Sequence, residues 1–134
     1  MPDTTVGAII EREIDGQKEI LLTRRNIPPY EGDWCFPGGH IDSAEPAKDA
    51  IIREVREETG YELVLPEFFR YQDEIIEEKN IHHVVLFFRA RASGEANKQD
   101  SEVMEMDWFK LDEALSLNLA FLHDEIIQSL KSEK

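Results

Sequence analysis

Glu54, Glu57 and Glu58 stand at i, i+3 and i+4 within the run Arg53–Glu58 (REVREE). On a helix, residues at that spacing rise from one face. At roughly 100° per residue their carboxylates share an arc of about 100°, and Ala47 and Ala50 fall in the same arc. Ile51, Ile52 and Val55 occupy the adjoining arc and must meet a core, which sets Glu58 beside the apolar stripe. Three carboxylates this close repel one another, and partial burial adds a desolvation cost. A hard divalent cation resolves that conflict, because magnesium prefers oxygen ligands in octahedral geometry. The two alanines would leave room there for metal and substrate. Taken alone, the six residues also fit a solvated helix carrying an Arg53–Glu57 ion pair at i,i+4.

The carboxylates need elements to hold them. The sequence predicts a helix from Glu45 to Thr59, with Pro46 in its first turn, Ser43 as a nearby cap and Gly60 as its stop. Ahead of it, Thr4 to Arg12 reads as a strand with Val6, Ala8 and Ile10 on one face. Asp15-Gly16 is a turn signal, and Lys18 to Arg25 reads as the returning strand. The prolines and glycine of NIPPYEGDW argue against regular structure. A short extended piece, Trp34 to Phe36, then runs into Pro37-Gly38-Gly39. Beyond the helix, Phe68 to Ile76 and His83 to Ala92 read as strands joined near Lys79-Asn80, followed by a polar loop from Ser93 to Ser101. Met104 to Phe109 is a last strand, and from Leu111 the chain reads as helical, ending in the amphipathic LAFLHDEIIQSL. This order predicts an α/β fold, a mixed sheet with helices against it.

The wider spacing sharpens the reading. Gly39, five residues, Glu45, seven residues, and then Arg53-Glu54-Val55-Arg56-Glu57-Glu58-Thr59-Gly60 resembles the Nudix box at every fixed position. Chance would supply those eight specified residues with odds on the order of one in a million. The glycine loop precedes the helix and the acids lie on it, as the motif requires. The box usually closes with a bulky aliphatic residue; here Tyr61 stands in that place. The approach GDWCFPGGH and the closing WFKLDEAL also resemble family segments, so the likeness covers most of the chain. The resemblance implies an α/β/α sandwich around a mixed sheet, with the box as a loop-helix-loop.

The resemblance also implies roles. Glu57 and Glu58 would be direct metal ligands, Glu54 would bind metal directly or through water, and the carbonyl of Gly38 would add a ligand. The metal would be Mg2+, with Mn2+ as a substitute. Gly39, Glu45, Arg53 and Gly60 would support the box, the arginine by orienting the carboxylates. An acid from a downstream loop often joins such a site; Glu102, Glu105 and Asp107 are the candidates, with Glu105 favoured. The general base is Glu54 within the box or Glu105 outside it. Arg24 and Arg25 end the second strand and offer a guanidinium fork to phosphate; His40 follows the double glycine and is a third candidate. His82, His83 and His123 have no zinc-site spacing. Tyr30, Trp34 and Phe36 are aromatic candidates for a base stack, with core packing as the plainer role.

The bulk numbers narrow the partners. A chain of 134 residues suits one domain, and 41% hydrophobic residues suffice for one core. The formal net charge of −14 disfavours nucleic acid and argues against an RNA-end hydrolase. A phosphorylated substrate then needs local cations. No stretch approaches the roughly 20 apolar residues of a membrane span. The opening MPDTTVGAII lacks a basic region before its apolar run, so no signal peptide is expected. Cys35 is the only cysteine, compatible with a reducing, cytoplasmic setting. A homodimer is an ordinary outcome for such a domain. The family's substrates are nucleoside diphosphates linked to another group, and a nucleoside triphosphate or ADP-ribose is the favoured expectation. A silent nucleotide sensor is the alternative, although all three glutamates are in place.

Overall fold

The computed structural model describes residues 2–98 and 100–133. In chain order the strands and helices are β1 (Asp3–Ile14), β2 (Gln17–Arg25), β3 (Trp34–Cys35), β4 (Gly38–His40), α1 (Ala47–Thr59), β5 (Glu62–Ile76), β6 (Ile81–Ser93), β7 (Val103–Lys110), α2 (Leu111–Leu115) and α3 (His123–Lys131). The seven strands form one mixed sheet ordered β3-β2-β1-β6-β5, with β4 added to β1 and β7 to β2. Only β1 and β6 run parallel among these pairs.

Alternation along β1 explains the layering. Val6, Ala8 and Ile10 face Ala50, Ile51 and Val55 of α1 in one cluster. Ile9 points the other way, into a cluster with Ile126, Ile127 and Leu130 of α3 and Ala114 of α2. A strand buried on both faces by successive residues is what a sandwiched sheet requires. The expected α/β/α architecture is therefore the observed one. No helix among the described residues is long and apolar enough to cross a membrane.

The strands β1 and β2 share a ladder only near their turn, where Glu11–Ile14 face Gln17–Ile20. Further along, β1 takes β4 at Thr5–Gly7, while β2 takes β3 at Thr23–Arg24. The two strands diverge into a wedge, and residues from both line a cavity within it. Ion pairs gather at the closed end: Arg12–Glu19 at 2.8 Å, Lys18–Glu11 at 2.9 Å and Arg89–Glu11 at 2.6 Å. Arg89 also pairs with Glu133, tying the C-terminal segment to the same corner.

Several sequence expectations shift. The helix starts at Ala47, not Glu45, because extended Pro46 occupies its N-cap position and Ser43 makes no cap bond. Glu45 instead turns back to accept the Asp42 amide at 3.0 Å. Ala47 and Ala50 do not open space for metal; Ala50 is fully buried and Ala47 packs against the same core cluster. The strand expected from Phe68 begins at Glu62, with irregular pairing between Val64 and Glu67 and between Phe68 and Arg70. The C-terminal helix is broken into α2 and α3. Between them, Asn118 and Ala120 bond to the backbone of Trp34, and Phe121 adopts a left-handed φ of 53°.

Gly60 does end α1, with φ of 82° and its amide bonded to the Arg56 carbonyl at 3.0 Å. A Cβ there would stand 2.7 Å from the Asn97 nitrogen. Gly60→Ala therefore combines left-handed strain with a backbone clash. The expected loss is about 1–2 kcal/mol, read by thermal denaturation as a fall in Tm of roughly 3–10 °C; an unchanged Tm would contradict this account of the helix stop.

Candidate active site

Arg53 is the hub of the site. Its Nε donates to Glu45 Oε2 at 2.9 Å, and its two terminal nitrogens reach Glu45 Oε1 at 3.0 Å, Glu54 at 3.0 Å, Glu57 at 3.3 Å and the His40 carbonyl at 3.1 Å. A planar guanidinium with five fixed donors suits that spread of acceptors. Glu45, through both carboxylate oxygens, thus holds the Arg53 guanidinium in place.

The glutamates differ in environment. Glu57 is more than half exposed. Glu54 is largely covered, and a Cβ on Gly39 would stand only 2.7 Å from its carboxyl atoms. The neighbouring glycine is as tight, since a Cβ on Gly38 would meet the Val6 carbonyl at 2.1 Å. At these two glycines the backbone closes directly onto Glu54 and onto β1, which a side chain would prevent. Glu58 keeps partial solvent contact and accepts the Gly38 amide at 2.8 Å.

Crowding shows in the proton affinities. Burial, helped by the charges of Glu57 and Asp100, pushes Glu54 up to about 7 against the pull of Arg53. Burial also raises Glu58 well above the ordinary carboxylate range; the Gly38 amide opposes this, and the charges of Glu54, Asp100 and Glu102 add to it. Carboxylates that resist ionising together are the donor set that a hard divalent cation relieves. The residues present fit such an ion.

The cavity in the wedge encloses about 490 Å³, within the usual range for small-molecule sites. Gly38, Gly39, His40, Glu58, Arg25 and Glu102 line part of it. Arg24 does not; its guanidinium bonds the Gly32 carbonyl at 2.8 Å and Glu105 at 2.9 Å. Glu105, the acid favoured from sequence, is thus engaged with Arg24 and absent from the lining. Asp107 accepts the Trp108 amide and also lies outside it. Glu102 is the downstream acid at the cavity. Asp100, not singled out from sequence, adds charge beside Glu54 and Glu58 and accepts the Glu102 amide at 2.8 Å. Trp34 and Phe36 pack in or against the core, and Tyr30 packs against Phe121 with ring centres 5.1 Å apart and the rings tilted by 57°.

Another part of the wall was not anticipated. Glu74, His83, Phe121 and His123 line it, and Glu74 lies between the two histidines. No spacing signal links positions so far apart in the chain. His83 also approaches Asp3 and His40, with one candidate ligand atom from each residue within 4.8 Å of the others. Cys35 lines the cavity as a buried thiol whose burial pushes it up to about 11, which leaves it protonated and unreactive.

The raised Glu54 predicts a pH effect. A carboxyl whose folded value exceeds its ordinary 4.5 contributes stability below that value and loses it as pH rises through about 7. In metal-free protein, the Tm of wild type relative to Glu54→Gln should fall between about pH 5 and pH 8. Magnesium should raise the wild-type Tm more at the upper end. A difference flat across that range counts against the buried carboxylate.

The matched family model is the NUDIX domain, over residues 1–130. Among curated relatives, an ADP-ribose pyrophosphatase of Methanocaldococcus jannaschii is 28% identical over 95% of this chain and 72% of its own length. A putative 8-oxo-dGTP diphosphatase of Bacillus subtilis is 31% identical over 78% of this chain and 65% of its own length. The chain thus spans about two thirds of the length of these relatives. Of solved structures, a MutT NUDIX hydrolase from Burkholderia pseudomallei superposes with a TM-score of 0.76 and 33% identity, covering 84% of this chain and 86% of that one. The NUDIX domain of Shewanella oneidensis NrtR, crystallised with ADP ribose, gives 0.87 and 25%, covering 98% of this chain and 87% of that one. With the box geometry in place, these likenesses show that the chain belongs to the NUDIX domain family, as a MutT-like hydrolase.

Proposed function

We infer that the chain is a magnesium-dependent pyrophosphohydrolase that cleaves a nucleoside diphosphate linked to a further group, such as a nucleoside triphosphate or ADP-ribose, and releases a nucleoside monophosphate. One observation carries this reading: Glu54, Glu57 and Glu58 gather around Arg53 and the Gly38–Gly39 pair beside a cavity of about 490 Å³. The relatives acting on ADP-ribose and on 8-oxo-dGTP, and the NrtR domain holding ADP ribose, support the substrate class.

Glu54, Glu57, Glu58 and the Gly38 carbonyl would hold the Mg2+, with Mn2+ as a substitute. The bound ion would neutralise the bridging phosphates and acidify a water. Arg53 keeps the carboxylates in register, so the site need not reorganise as charge develops. Glu54 is the proton acceptor proposed for the attacking water, and Glu105 is the poorer candidate because Arg24 occupies it. Arg25 borders the cavity, with its Nε on the Pro29 carbonyl at 2.7 Å and its guanidinium over Phe121 at 5.0 Å. Its free donors suit a phosphate; His40, on the same wall, is a second contact.

The test is a panel of nucleoside triphosphates, oxidised forms, ADP-ribose and sugar nucleotides, incubated with magnesium or EDTA. One class should yield a mononucleotide only with metal, and Glu57→Gln should lower the rate on the order of 100-fold or more, since several kcal/mol of charge stabilisation are lost. Binding without cleavage would establish a sensor instead. On the cleaved substrate, Arg25→Ala should raise KM about 10- to 100-fold, the scale of a lost charged hydrogen bond. Arg24→Ala should leave KM within about twofold; equal effects of the two would remove the phosphate role from Arg25.

A further inference from the structure

Three adjacent strands bring Asp3, His40 and His83 together. Register places His83 of β6 beside Asp3 of β1, and His40 of β4 beside Thr5 of β1. Asp3 and Thr5 alternate with Thr4 along β1, so they share a face of the sheet, and residues paired across strands share it with them. All three side chains therefore rise from one face. The neighbouring pair, Val6 and Gly39, belongs to the other face: Val6 packs with Ile51 and Val55 of α1, and Gly39 abuts Glu54. The cluster is thus set apart from the helix that carries the box glutamates.

The potential ligand atoms are close. One from each residue lies within 4.8 Å of the other two, and His40 Nε2 stands 4.0 Å from Asp3 Oδ2. Two ligands on one zinc ion, each about 2.0–2.1 Å from it, stand roughly 3.3 Å apart. The side chains of His40 and Asp3 are 68% and 64% exposed, so rotation of either can close the difference. His83 is the fixed member. Its Nδ1 lies 3.4 Å from Oε1 of Glu74, a buried residue. A carboxylate only accepts, so it holds the imidazole proton on Nδ1 and leaves Nε2 unprotonated. Metal-bound imidazoles are ordinarily oriented in this way, by a carboxylate on the other ring nitrogen. A surface ion pair would need no such carboxylate behind the ring.

We propose that Asp3, His40 and His83 bind a borderline divalent cation such as Zn2+, with His83 oriented by Glu74, at a site separate from the magnesium ligands of the box. Imidazole nitrogen suits zinc, whereas magnesium prefers oxygen. Three protein ligands leave the fourth position of a tetrahedral ion to water or an anionic ligand. His40 and His83 also line the cavity, so the ion brings positive charge to its wall, and the contact of His40 with phosphate runs through it.

This site stands whether or not the chain hydrolyses nucleotides, and its test reads metal binding directly. Zn2+ is titrated calorimetrically into the whole chain in saturating Mg2+, which fills the carboxylate site. Wild type should take up one equivalent with a Kd of about 10 µM or tighter. His40→Ala and Asp3→Asn, both at exposed positions where the fold is safe, should each weaken that binding roughly 10-fold or more, as should His83→Ala. Glu57→Gln should leave it within about twofold, since distant independent sites do not couple. Co2+ in place of Zn2+ should give the intense visible absorption of a four-coordinate ion, and His40→Ala should abolish it. Absence of Zn2+ uptake in Mg2+, or an affinity unchanged in the folded His40→Ala chain, would overturn the site. Uptake that disappears with Glu57→Gln would assign the ion to the box instead and overturn it equally.

Discussion

Glu54 and Glu58 must stand close together where water solvates them poorly, and containing their mutual repulsion is the task to which the surrounding residues are fitted. Among the described residues, Arg53 supplies the only guanidinium bonded to the box glutamates, and Glu45 holds that guanidinium in place. The Gly38 amide satisfies one Glu58 oxygen, and Gly39 allows the chain to pass against Glu54. Even so, negative charge is left over, and Asp100 and Glu102 add to it. Such a site is arranged for a positive guest and is under-stabilised without one.

The parts of this arrangement carried by short-range periodicity were legible in the sequence. Glu54, Glu57 and Glu58 share a helical face because their spacing demands it, and Gly60 stops the helix because its left-handed φ favours glycine. The alternation of Val6, Ala8 and Ile10 against Ile9 gave the layers in outline. What failed had physical reasons. The apolar pattern of LAFLHDEII suits a helix, but Ala120 is held by a backbone bond to Trp34 and Phe121 turns left-handed, so the helix begins only at His123. Arg24 and Arg25 looked equivalent, yet neighbours on a strand point to opposite faces, and only Arg25 reaches the cavity. Glu74, His83 and His123 meet only through tertiary packing, so no local pattern announced them.

The strong negative charge also reads differently once folded. It is not spread as a uniform repulsive shell. Arg89, Lys18 and Arg12 neutralise Glu11, Glu19 and Glu133 at one corner, and Arg56 pairs with Glu62. The uncompensated acids that matter lie along the box and the segment Asp100–Glu102, beside the cavity. Arg25 lines that cavity and brings positive charge to its wall.

The divergence of β1 from β2 has a mechanical consequence. The two strands share ladder bonds only at the vertex of the wedge; across its mouth the contiguous β3–β4 segment joins them, with Thr23 opposite Cys35 and the Ala8 amide on the Pro37 carbonyl. That vertex carries the short ladder of Glu11–Ile14 with Gln17–Ile20, braced by the cluster of partly exposed ion pairs. Salt screens such pairs far more than it affects packed side chains. Salt therefore weakens the pairs of a corner that holds none of the box glutamates.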